Sequence, residues 1–193
     1  MRHRIFIAIN LPEDVKKRLL DYQRKWLTLP VHWTKKDNLH ITLIFLGYLN
    51  DEDLLETIKI VHNVVEEHQS FFINLNQILY GPPNKTPRMV WVEGEKSQEL
   101  ANLQRDLENA LYTSPNKGIS GGEIQSYSPH ITLGRIKEWE FKKIPLEERE
   151  DINEEISLNF SVESIEVMES DLKRGGPEYI VLESAQLADS KNF

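Results

Sequence analysis

The tetrapeptide His-Ile-Thr-Leu stands twice in the chain, as His40-Ile41-Thr42-Leu43 and as His130-Ile131-Thr132-Leu133, ninety residues apart. This repeat constrains the fold more than any other feature, because two copies of one strand call for two copies of its setting. A repeated tetrapeptide alone is close to chance in 193 residues. The chemistry-bearing triplet is sharper: composition predicts roughly 0.2 His-x-Thr triplets, so two in one shared context exceed chance.

The context is shared. Arg4-Ile5-Phe6-Ile7 precedes a helix and then His40, and Arg88-Met89-Val90-Trp91 precedes a helix and then His130. The first helix opens at Pro12 and carries Val15, Leu19, Tyr22 and Trp26 at helical spacing. Its counterpart is capped by Ser97 and carries Leu100, Leu103, Leu107 and Leu111. Between them, Asn50 or Asp51 caps a helix with Leu54, Ile58, Val61 and Val65 on one face. Phe71 to Leu79 reads as a strand, the Pro- and Gly-containing stretches around 80–88 and 114–123 as loops, and 145–150 as a short helix. Residues 156–168 alternate and then change phase, which predicts a bulge near Glu163-Ser164. Tyr179 to Leu187 reads as the last strand. The reading is one bilobal domain over 1–193, with pseudo-repeats at about 4–80 and 88–170 and a final strand near 178–187.

A strand turns alternate side chains to opposite faces. Ile and Leu of each copy then seat the strand in a core, while His and Thr share the other face. Imidazole gives or takes a proton near neutral pH, and a threonine hydroxyl donates to an anionic oxygen. Two such pairs facing each other suit in-line displacement at phosphorus, which needs a base on one side and an acid on the other. The identical copies do not say which is which.

Composition narrows the rest. There is no cysteine, which excludes disulfides and thiolate chemistry and suits a reducing compartment. The opening MRHRIFIAIN reads as a first strand rather than a signal peptide, and no apolar run has the length of a membrane span, so a cytoplasmic location is expected. A net charge of −8 disfavours tracking along a nucleic-acid backbone, though it leaves room for one strand end in a local pocket. No metal-ligand cluster stands out, and neither a cofactor nor an obligatory protein partner is expected. His3, His32, His62 and His68 show no partner at useful spacing and read as surface or edge residues. Lys35, Lys36, Lys173 and Arg174 read as solvated charge or a basic rim.

The two motifs, with the flanking RIFIAINLP, NLHITLIFLG, PRMVWV, YSPHITLGRI and Ser170-x-Leu172-x4-Gly176-Pro177-x-Tyr179, resemble the 2H phosphoesterases. More narrowly, the chain is similar to the RNA 2′,3′-cyclic phosphodiesterases, historically 2′-5′ RNA ligases, over nearly its whole length. The resemblance implies an α+β fold of two pseudo-symmetric lobes, each an antiparallel sheet with outer helices, around a central cleft. It implies metal-independent hydrolysis of 2′,3′-cyclic phosphate at RNA 3′ ends to 2′-phosphomonoesters. His40 would be the proton donor and His130 the proton acceptor, with Thr42, Thr132 and Arg135 on the phosphate. Arg88, Tyr127 and Tyr179 are possible substrate contacts. Gly134, where the family often has alanine, is expected not to touch the chemistry. Alternatives are 2′-5′ RNA ligation, another 2H cyclic-phosphate or 2′-5′ phosphodiesterase activity, or a non-catalytic RNA-end binding module.

Overall fold

The computed structural model describes residues 2–83, 85–113, 129–174 and 176–189. Nine strands are hydrogen-bonded among them: β1 (His3–Asn10), β2 (Val31–Trp33), β3 (His40–Leu49), β4 (Phe71–Gly81), β5 (Met89–Gly94), β6 (His130–Ile136), β7 (Asn153–Val162), β8 (Ser164–Lys173) and β9 (Gly176–Gln186). The helices are α1 (Glu13–Lys25), α2 (Asp51–Val65), α3 (Gln98–Thr113) and the short α4 (Glu138–Lys142). None of these helices is long and apolar enough to cross a membrane.

The strand order is β7-β4-β5-β6-β3-β1-β8-β9, with β2 also on β6. It reads symmetrically outward from the β6–β3 junction. Lobe 1 is β3-β1-β8-β9, and lobe 2 is β6-β5-β4-β7 with β2. All pairings between named strands are antiparallel, and among the described residues Ile41 opposite Ile131 is the one strand pair joining the lobes.

The lobes are not the two sequence halves. The strand that follows α2, β4, pairs with β5 in lobe 2, while β8 returns to pair with β1 in lobe 1. Each half thus lends a strand to the other lobe. This crossing explains the phase change at Glu163, where the expected bulge does not occur. Val162 ends β7 in lobe 2 and Ser164 begins β8 in lobe 1. The stretch expected as a helix at 145–150 is a 3₁₀ turn over Leu146–Glu148, and the one-turn α4 and three-residue β2 are additional elements. Both are too short for periodicity to reveal.

Helix signals held where caps were chemically explicit. The Asn50 side chain accepts from the Asp53 N–H at 2.8 Å, and Ser97 Oγ accepts from the Leu100 N–H at 3.1 Å. Leu100, Leu103, Leu107 and Leu111 of α3 are each at most 2% exposed, worth about 1.5–3 kcal/mol apiece in burial. They join Val15 and Leu19 of α1, Val61 and Val65 of α2, and the inward residues of both lobes in one continuous core. A second, small apolar cluster of Phe6, Ala8 and Met168, with Tyr179 against it, lies outside that core.

Candidate active site

Antiparallel partners point to the same face of a sheet. The Ile41–Ile131 pair sends both isoleucines into the core, where they are 1% and 0% exposed. The flanking His40, Thr42, His130 and Thr132 must then leave by the opposite face, and all four are half-buried. One short contact between lobes therefore delivers two imidazoles and two hydroxyls to one surface. The electrostatics agree: His40 feels the charge of His130.

His40 is held on every side. Its Nδ1 lies 2.7 Å from the carbonyl oxygen of Asn38. A carbonyl only accepts, so Nδ1 carries the hydrogen and donates. Nε2, 2.9 Å from the Thr42 hydroxyl, is left as the atom that exchanges protons. Phe6 lies 5.1 Å from the imidazole centroid, and Tyr179 stands edge-on at 5.2 Å. Burial above all, then the charges of His130 and Lys16, hold this imidazole below its ordinary value of 6.5, against the pull of the Asn38 carbonyl.

The C-terminal pattern serves the same histidine. Gly176 takes a left-handed φ of 103°, and closes the β8–β9 hairpin opposite Lys173. The next residue, Pro177, accepts from the Asn38 side-chain amide at 2.7 Å. Asn38 thus joins the hairpin to the carbonyl that orients His40, and Tyr179 forms the wall. That is why residues near 176–179 accompany a motif at residue 40.

His130 is supported differently. The Trp91 indole stacks on it at 3.8 Å and 22°. Trp91 in turn lies against Gly81, where a Cβ would come within 2.2 Å of the indole. Behind β6, the buried Gln23 amide donates to the carbonyls of Leu133 and Thr34, both at 3.0 Å. The Thr34 hydroxyl donates to the Thr132 carbonyl at 2.8 Å. A third His-x-Thr triplet, His32-Trp33-Thr34, therefore acts as scaffolding. Thr34 braces β6, while His32 lies beside Arg135 in the β2–β6 register.

Arg135 is exposed, with its guanidinium 3.8 Å from the Met89 sulfur. Gly134 is a packing residue, since a Cβ there would meet Val31 at 2.4 Å. The Arg88 guanidinium lies 3.8 Å from the Glu138 carboxylate. Tyr127 lies outside the described residues. Of the residues read as solvated charge or a basic rim, Lys36 pairs with Glu13, and Lys173 with Glu178 and Asp171.

Three other histidines have partners that are all remote in sequence, which spacing along the chain does not reveal. His3 meets Glu169 at 2.8 Å and Asp51 at 2.9 Å, His62 meets Glu183 at 2.9 Å, and His68 meets Asp106 at 3.2 Å. Phe6, Asn38, Trp91 and Gly81 were not legible as site residues. Laying Arg4 against Arg88 sets the halves one residue out of register. Ala8 faces Thr42 as Trp91 faces Thr132, so Ala8 and Trp91 are the equivalents.

A two-lobed fold that sets one His-x-Thr strand from each lobe on a common face is that of the 2H phosphoesterases. The model of the 2′-5′ RNA ligase superfamily matches residues 16–174, and the chain belongs to that superfamily. An RNA 2′,3′-cyclic phosphodiesterase of Thermus thermophilus is 32% identical, covering 95% of this chain and 90% of the relative. One of Thermotoga maritima is 30% identical, covering 95% of both. A crystal structure of a Thermus thermophilus protein superposes with TM-score 0.82 at 28% identity, covering 96% of this chain and 98% of the other. Escherichia coli LigT complexed with 3′-AMP shares the fold at TM-score 0.77 and 20% identity, covering 97% of this chain and 99% of the other.

Proposed function

We infer that this protein hydrolyses 2′,3′-cyclic phosphate ends of RNA to 2′-phosphomonoesters. The observation that carries the reading is the Ile41–Ile131 pair, which puts two His-x-Thr strands back to back with their polar side chains on one face. The relatives named RNA 2′,3′-cyclic phosphodiesterase, matched over most of the chain, support the substrate.

His130 accepts a proton from water as the water oxygen attacks phosphorus. The P–O3′ bond breaks on the opposite side, and His40 Nε2 gives its proton to the departing O3′. The products are a 2′-phosphomonoester and a free 3′-hydroxyl, and the two imidazoles have exchanged protonation states, reset through solvent. Thr42 and Thr132 donate to the non-bridging oxygens, and Arg135 supplies a cation to them. On binding, the Thr42 hydroxyl turns from His40 Nε2 to the phosphate, and the anion offsets the effects that keep His40 neutral.

The test is a cyclic-ended oligoribonucleotide with excess EDTA, followed by phosphorus NMR of the product. A 2′-phosphomonoester end formed at an undiminished rate is expected. A 3′-phosphate product, no turnover, or efficient joining of RNA ends with little hydrolysis would overturn the reading.

A further inference from the structure

The two lobes can be matched residue for residue around the histidines. Both strands bulge just after the shared tetrapeptide. Ala8 pairs with Thr42 and Ile7 with Ile44, leaving Leu43 as the extra residue; Trp91 pairs with Thr132 and Val90 with Gly134, leaving Leu133. On the histidine side of these bulges the registers are equivalent. Asn10 stands opposite His40, and Glu93 stands opposite His130. Opposite residues of an antiparallel pair share a face, with Cβ atoms about 4.5–5.5 Å apart. Trp91, two residues before Glu93 and on the same face, stacks on the His130 ring. Outward side chains of β5 therefore reach this imidazole. Lobe 1 sets an amide where lobe 2 sets a carboxylate.

The carboxylates of this face are also held differently. Glu166 of lobe 1 lies opposite Ala8, is 6% exposed and has both oxygens engaged. Its Oε2 accepts from the Asn10 N–H at 3.0 Å, and its Oε1 from the hydroxyls of Ser164 at 2.7 Å and Ser184 at 3.3 Å. Glu93 Oε1, by contrast, is buried and has no hydrogen-bond partner among the described residues. A buried acceptor left unpaired is costly and calls for an explanation. With no donor to offset it, the Glu93 charge acts on a neighbour able to become positive, and His130 stands directly across the strand. Lobe 1 treats its own histidine in the opposite way. Asn10 is uncharged, and the charge of Lys16, itself 4% exposed, disfavours the protonated form of His40.

We propose that Glu93 is a positioning residue for the proton acceptor: its carboxylate favours the imidazolium that forms when His130 takes a proton from the attacking water. The proposal rests on the function inferred above. During turnover a positive charge appears at His130 and leaves His40. The carboxylate gains its full attraction only as that charge forms, so it favours the transition state over the resting neutral ring. The proton stays on the imidazole, and no bond to Glu93 is made. Among the described residues, the other charged or titratable groups on this face include His40 of β3 and Arg135, which the bulge of β6 returns to it. His32 of β2 lies beside Arg135, and the exposed Glu155 of β7 lies beyond the uncharged Gln77. Glu93 is the anion directly across from the ring. It supplies what two identical tetrapeptides lack, a local reason for His130 to take the proton and His40 to give it.

The experiment follows the ring resonances of His40 and His130 by NMR as pH is varied, without substrate, and then the hydrolysis of a cyclic-ended oligoribonucleotide. Glu93→Gln keeps the shape and removes the charge. It is expected to lower the His130 titration midpoint by about 1 unit and to move that of His40 far less. At the pH optimum kcat should fall by about 3- to 10-fold, with KM little changed. Glu93→Asp keeps the charge and should recover the midpoint and most of the rate, which a packing role would not. Glu93→Ala is read in the same way as Glu93→Gln should the amide disturb β5, with thermal melts verifying the fold. An unmoved His130 midpoint, equal shifts of both histidines, or a rate loss that Glu93→Asp does not recover overturns the proposal and leaves the function intact. Wild-type protein that does not hydrolyse the cyclic end overturns the functional reading, and this inference with it.

Discussion

The two lobes hold the same four residues in the same bulged strand, yet surround them with different chemistry. In lobe 1 His40 is boxed by Phe6, Tyr179 and the Asn38 carbonyl, with Phe45 beyond. In lobe 2 the Trp91 indole stacks on His130, with Arg135 beyond. On the proposed reading, the tetrapeptide supplies the reactive groups and its neighbours supply direction. A symmetric pair of imidazoles runs a displacement either way. An apolar wall on one side and a cation on the other make one way preferable.

The largest test of this division removes the groups that the lobes share. His40→Ala and His130→Ala are each expected to lower kcat by about 10²–10⁴-fold, with melting temperatures near wild type because both side chains are only half-buried. The double variant should be little slower than either single one, since acid and base act as a unit. Additive losses would show that the histidines belong to separate sites. The pH profile sharpens the difference between them. Because burial above all holds His40 below 6.5, the alkaline limb of kcat/KM set by the free enzyme's acid should fall below pH 6.5. The limb in kcat should lie higher, with the anion bound. A kcat/KM limb above pH 7.5 would assign the donor elsewhere.

Arg135 is the next largest effect. Its removal as Arg135→Ala is expected to cost about 10- to 100-fold in kcat/KM, the scale of a hydrogen bond to a charged group. Arg135→Lys should recover part of that loss, since a point charge replaces a planar fork. An unchanged rate in Arg135→Ala would leave each lobe with only its matching threonine on the phosphate and remove the asymmetry.

A smaller effect comes through packing. Gly81 leaves room for the Trp91 ring that stacks on His130. Gly81→Ala is expected to cost about 1–3 kcal/mol in stability through overpacking, measured by urea denaturation. It should also reduce turnover several-fold by shifting the indole and with it His130. Trp91→Leu should lower turnover without the clash. If Gly81→Ala loses stability but keeps full activity, the indole is packing alone.

What the sequence showed and hid follows from distance along the chain. His40, Thr42, His130 and Thr132 were legible because repeat and alternation are local. The caps at Asn50 and Ser97 were legible for the same reason. The exchange of β4 and β8 between lobes was not, since pairing partners leave no local mark. The family resemblance puts Arg135 at the phosphate, whereas strict alternation from Thr132 would have buried it. The bulge that turns it outward shows only in the register. Trp91 acts on His130, and the Asn38 side chain meets Pro177, across tens of positions or more, while Gly81 acts through Trp91 ten residues on, and nothing in their immediate neighbours announces that.

The smallest expected effect concerns how the lobes are braced rather than what they do. In lobe 1 His3 joins β1 to Glu169 of β8 and to Asp51 at the start of α2. Hydrogen bonds to those carboxylates, Glu169 first and Asp51 next, raise the His3 imidazole above 6.5. Lobe 2 is tied at its side by Tyr80, whose hydroxyl donates to the Glu150 carbonyl at 2.8 Å. Burial pushes that phenol up to about 12, so it does not titrate in the working range. A base raised on folding contributes stability that is complete below 6.5 and is lost as pH rises through the folded-state value. Hydrogen exchange should therefore show β1 and the first turn of α2 losing protection, relative to intrinsic exchange rates, as pH rises past 6.5. The edge of β4 around Tyr80 should keep its protection over the same range. His3→Gln should abolish the difference by making lobe 1 insensitive to pH as well. If both lobes lose protection together in the wild type, the His3 contacts are not what separates them.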